Sequence, residues 1–102
     1  MENSDLRIVE VINKNYMANV TFTNYSINSN SVTLYFIHEG TFFDTDHEKT
    51  ISLEEARRVI SSMAENVTKW SSFTLEYASH SISVKSSLAK RCIEDFQAKH
   101  GN

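Results

Sequence analysis

Apolar and polar side chains alternate along two stretches in the first half of the chain. Val20 and Phe22 oppose Thr21, Thr23 and Tyr25 within residues 16–25, and Val32, Leu34 and Phe36 oppose Thr33, Tyr35 and Ile37. A period of two places successive side chains on opposite faces of a strand, so both stretches are predicted to be half-buried strands. Between them Ile27-Asn28-Ser29-Asn30 supplies residues that tolerate turn geometry, which makes the pair a hairpin. Gly40 should break the second strand, with Phe42 and Phe43 continuing it after a bend or bulge.

The period changes at Ser52. Ser52-Leu53-Glu54-Glu55 has the form of a capping box, in which the serine hydroxyl meets an orphan amide of the first helical turn, and Ile51 and Ala56 occupy the flanking staple positions. Ala56, Val59, Ile60, Met63, Val67 and Trp70 then recur every three or four residues, predicting a helix from about Leu53 to Thr68. Alternation returns in Phe73, Leu75 and Tyr77 and, after a turn at residues 78–80, in Ile82 and Val84, which reads as a second hairpin. A last helix is expected over residues 87–99, with Leu88, Cys92, Ile93 and Phe96 inward and Gly101 as its stop. Residues 4–15 fit both periods. Ser4 as a cap, with Leu6, Val9 and Ile12 at helical spacing, favours a short helix there, against the strand preference of the β-branched residues.

This order of elements predicts an α+β fold: an antiparallel sheet of four to five strands, with two helices, or three counting residues 4–15, packed on one face. The outer face would carry Thr21, Thr23, Tyr25, Thr33 and Tyr35. With no proline, two glycines and no repeat in 102 residues, a single domain over residues 1–102 is expected.

Composition narrows the classes. A hydrophobic fraction of 40% is enough for a core, and a formal net charge of -3 gives no basic field to hold a nucleic-acid backbone. The lone Cys92 cannot form an internal disulfide, and residues 1–5 do not resemble a secretory signal, so a cytoplasmic protein is expected. Apolar runs such as residues 34–37 fall far short of the roughly 20 residues needed to cross a bilayer. The sequons at Asn19, Asn24 and Asn66 then count as chance matches.

Two chemical constellations present themselves. The first is the segment from Asp44 to Glu55, which resembles an EF-hand calcium loop with oxygen ligands in Asp44, Asp46, Glu48, Ser52 and Glu55. Against this stands Lys49, where such a loop needs a glycine for its sharp turn. The second is histidine chemistry through His38, His47, His80 or His100, alone or with Cys92, whose spacing matches no catalytic or zinc motif. No phosphate-cradling glycine loop, nucleophile elbow or cofactor fingerprint occurs, so neither an enzyme nor a cofactor is expected.

Charge distribution is the more informative signal. Residues 39–55 carry Glu39, Asp44, Asp46, Glu48, Glu54 and Glu55 against Lys49 alone, a local net of -5, whereas Lys85, Lys90, Arg91 and Lys99 outweigh Glu94 and Asp95 near the end. A concentrated negative patch steers a basic macromolecule toward it and repels nucleic acid. The functional expectation is a stoichiometric inhibitor or immunity protein of bacterial or phage type that neutralises a basic toxin or nuclease. Glu39, Asp44, Asp46 and Glu48 would meet partner cations, with Tyr35, Phe42 and Phe43 as anchors. A calcium- or ligand-binding accessory domain built on residues 44–55 is the alternative, and a small histidine-dependent enzyme a third. No direct contact with nucleic acid or membrane is expected, while an uncovered sheet face or edge would also permit a homodimer.

Overall fold

The computed structural model describes residues 6–7, 20–39, 42–77 and 80–101. In chain order the elements are β1 (Leu6–Arg7), β2 (Val20–Ile27), β3 (Ser31–Glu39), β4 (Asp44–Ser52), α1 (Leu53–Asn66), β5 (Ser72–Tyr77), β6 (His80–Lys85) and α2 (Ser86–His100). The strands form one sheet in the order β1-β5-β6-β2-β3-β4, antiparallel except where β2 runs parallel to β6. The expected α+β class is therefore present, with five strands of six to nine residues and the two-residue β1 at one edge.

One face of the sheet carries the core. Phe22, Val32, Leu34, Phe36, Phe73, Leu75, Ile82 and Val84 are buried there together with Ala56, Val59, Ile60 and Met63 of α1 and Ala89, Cys92, Ile93 and Phe96 of α2. Helix α1 packs over β3 and β4, and α2 over β2 and β6. The capping residue works as its type predicts, the backbone N–H of Glu55 donating to Ser52 Oγ at 3.1 Å. Gly101 ends α2 at φ 73°, a left-handed region open to glycine, and its N–H donates to the Gln97 carbonyl at 2.8 Å.

Three expectations are corrected. Leu6 and Arg7 are strand, paired with Tyr77 and Glu76, because pairing with the β5 edge satisfies their backbone and overrides the helical preference of these two residue types; the remainder of the expected first helix lies outside the described residues. The Tyr16–Asn19 part of the expected strand also lies outside them. Phe42 and Phe43 continue no strand, since β4 begins only at Asp44. Tyr25 does not join the outer face. A register shift between Phe22 and Asn24 inserts one extra residue, so Tyr25 opposes Leu34 and Ile27 opposes Val32 on the core side. Thr33 stays on the outer face yet is buried, its hydroxyl 2.9 Å from that of Thr50.

The flipped Tyr25 gains a partner. Its hydroxyl donates to Asp95 of α2 at 2.5 Å, which ties the end of β2 to the helix layer. Loss of water around the ring, and then the adjacent Asp95 carboxylate, push the phenol up from 10.0 to about 12. A phenol whose folded pKa lies above its unfolded value supports the fold below pH 10 and loses that support as pH rises toward 12.

Two outcomes follow for urea denaturation. Met63→Ala, at a fully buried position, should cost about 3 kcal/mol and the cap deletion Ser52→Ala about 1 kcal/mol, and the reverse order would contradict the packing described. Tyr25→Phe should cost roughly 1 kcal/mol at pH 7, with a deficit that shrinks between pH 10 and 12; a deficit that grows there would reject the Tyr25–Asp95 contact.

Candidate docking face

Antiparallel register decides which of the chemically interesting side chains meet. In the β3–β4 hairpin Tyr35 opposes Glu48, Ile37 opposes Asp46, Glu39 opposes Asp44 and Thr33 opposes Thr50. Val32, Leu34 and Phe36 of β3 point to the core, so all eight of these alternate residues stand on the outer face. Glu39, Asp44, Asp46 and Glu48 are exposed, with Tyr35 and Ile37 half-buried between the strands. The acids of β4 repeat every second residue, about 7 Å apart. Glu39 and Asp44 oppose each other directly, a like-charge pair that works against hairpin stability.

A shallow hollow of about 390 Å³ lies on this face, lined by Thr23, Asn24, Tyr35, Ile37, Asp46 and Glu48. The extra residue in β2 shapes one wall, where Thr23 Oγ1 donates to the Tyr35 carbonyl at 3.2 Å. In the connection between β3 and β4, at the turn end of the hairpin, Phe42 and Phe43 are 87% and 80% exposed, the large hydrophobic residues that the described chain leaves in water. Two adjacent uncovered phenylalanines are costly to leave solvated and are typical of a contact anchor.

All seven residues singled out in the sequence for partner contact thus belong to one hairpin, five of them on one face. Sequence reasoning placed Thr23 on the outer face without naming it among the contact residues, and passed over Asn24 and Ile37. Ile37 had a visible signal, an aliphatic residue placed by alternation on the polar face.

The calcium loop is not formed. Asp44 to Ser52 is an unbroken strand in register with β3, which spreads its ends about 27 Å apart, so carboxylates at Asp44, Asp46 and Glu48 and the oxygens of Ser52 and Glu55 cannot converge on one ion. Its sequence lacks the glycine that would have closed a loop, and the backbone is satisfied instead by pairing with β3. Among the described residues no group of three or more His, Cys, Asp or Glu lies close enough to hold a metal.

Among the described side chains, two of the histidines come near each other. His38 and His47 approach each other on the inner face, ring centroids 6.2 Å apart, beside a hollow of about 340 Å³ floored by Val20, Phe36 and Ile82. His100 instead packs on Phe96 and lies 2.8 Å from the Asn28 carbonyl. Cys92 is buried in α2, and that burial, followed by the Asp95 charge, pushes its thiol up to about 12, which keeps it protonated at neutral pH. Of the cations near the end of the chain, Lys90, Arg91 and Lys99 are exposed on α2, in the layer opposite the acidic face. No described helix is long and apolar enough to cross a membrane.

No family model matches the chain, and neither the curated proteins nor the solved structures contain a match. The chemistry of the hairpin is therefore the basis for a functional reading. Millimolar calcium should leave the melting temperature unchanged within 1 °C in a thermal-shift titration, roughly the scatter of a surface change worth a few tenths of a kcal/mol, and a saturable rise of several degrees would restore a calcium site.

Proposed function

We propose that this chain is a stoichiometric protein-binding protein, an inhibitor or immunity protein whose acidic β3–β4 face docks a basic toxin or nuclease. The observation that carries the reading is the convergence of Glu39, Asp44, Asp46, Glu48 and Tyr35 on one outer face, with Phe42 and Phe43 exposed at its end. Carboxylates arrayed over a substrate cleft compete with the phosphates that a nuclease binds, and long-range attraction between opposite fields speeds the encounter. Aromatic anchors beside the charges supply the desolvated contact from which interface affinity mainly comes.

Size permits it. A standard interface takes about 800 Å² from each partner, about an eighth of the 6361 Å² this chain exposes. The direct opposition of Glu39 and Asp44 adds weight, because a pairing unfavourable to the free hairpin becomes favourable when a cation lies between the two carboxylates. A reducing compartment suits a chain whose one cysteine is a buried, unbridged thiol.

The test is affinity capture from the source cell with the wild-type chain and with the triple variant Asp44→Lys, Asp46→Lys, Glu48→Lys, followed by measurement of the captured protein's Kd against salt. The expected result is a basic partner whose affinity falls at least ~100-fold in the variant, with a flattened salt dependence. A partner that binds both chains equally would reject the acidic face as the docking surface.

A further inference from the structure

We propose that docking occurs by strand addition: an extended partner segment bearing Lys or Arg at alternate positions pairs with the free edge of β4. This rests on the acidic-face reading above and adds to it the backbone as the recognised element.

Among the described residues β4 is the last strand on its side of the sheet, and its nine residues pair with β3 without a register break. In an antiparallel pair only alternate residues direct their N–H and C=O groups at the neighbour, so the other residues of β4 direct theirs outward as a template for another strand. Natural edges are commonly blocked by proline, a bulge or several lysines. Here the strand has no proline and no bulge, and Lys49 is its single cation. Residues 44–48 are all exposed, side chains included.

Charge selects the occupant. Along an added strand the side chains on the outer face repeat every second residue, about 7 Å, matching the spacing of Asp44, Asp46 and Glu48. Lys or Arg in those places forms cross-strand pairs of opposite sign. A second copy of this chain laid antiparallel on the same edge brings acids of both copies together, so the charges that discourage self-pairing are those that favour a basic strand. Phe42 and Phe43, immediately before β4, offer an apolar contact just beyond the end of the added strand.

The probe is a fluorescent nonapeptide of alternating lysine and valine, compared with the same peptide methylated on every backbone nitrogen, which keeps the charge and removes each donor. Anisotropy titration should show the unmodified peptide binding ~10-fold more tightly than the methylated one. It should also weaken ~10-fold on the full-length variant Asp44→Asn, Asp46→Asn, Glu48→Gln, which changes only exposed side chains. Equal binding of the two peptides overturns strand addition and leaves the acidic docking face standing. Binding of neither peptide overturns both. Concentration-dependent dimerisation in sedimentation that β4 substitutions abolish would place a second copy on the edge and overturn the proposal as well.

Discussion

Two amphipathic helices lie on one side of this sheet, and burial of their apolar stripes against it dictates the rest of the molecule. The buried residues of α1 and α2 meet the inward residues of β2, β3, β5 and β6 in one continuous core. Removing that much apolar surface from water is the dominant favourable contribution for a domain of this size. On the other side no described helix is present, so alternation leaves threonine, serine, tyrosine and acids facing water. The open acidic face follows from this one-sided cover, and the β4 edge from a sheet that does not close on itself among the described residues. The carboxylates proposed for docking sit where the fold needs no apolar residues.

Much of this was legible in the residues. Ser52 with Glu55, followed by apolar residues three and four apart, locates α1 because capping and amphipathic burial are local effects. The strands over Val32–Ile37, Phe73–Tyr77 and Ile82–Val84 show themselves through a period of two in hydropathy. Tyr25 was misplaced because a bulge shifts parity by one, and a bulge depends on how β2 fits β3 rather than on a residue type within β2. The parallel contact of Val20 and Thr21 with Ile82 and Ser83 joins segments some sixty residues apart, and nothing local encodes it.

The acidic segment shows a different kind of hidden signal. Residues 44–50 look like a loop because strands are poor in Asp, Glu and Lys. Yet acids occupy Asp44, Asp46 and Glu48 while Thr45, His47, Lys49 and Ile51 occupy the positions between. The period of two is present in charge instead of hydropathy, and edge position, with water on both sides of most of the strand, explains why hydropathy need not alternate there. The same change from loop to strand replaces an ion cage with a linear array of carboxylates, which removes the geometry that the calcium alternative requires and leaves the basic partner, the first expectation from the sequence, as the proposal.

Residue-resolved amide hydrogen exchange on the free chain tests the central claim, an uncovered β4 edge on a one-sided fold, most directly. The account predicts alternation along residues 44–52: amides paired with β3 are protected, those between them exchange at close to unprotected rates, and β2, β3 and β6 exchange slowest of all. Uniform strong protection along β4, with no alternation, would mean that the edge is already covered and would contradict the account.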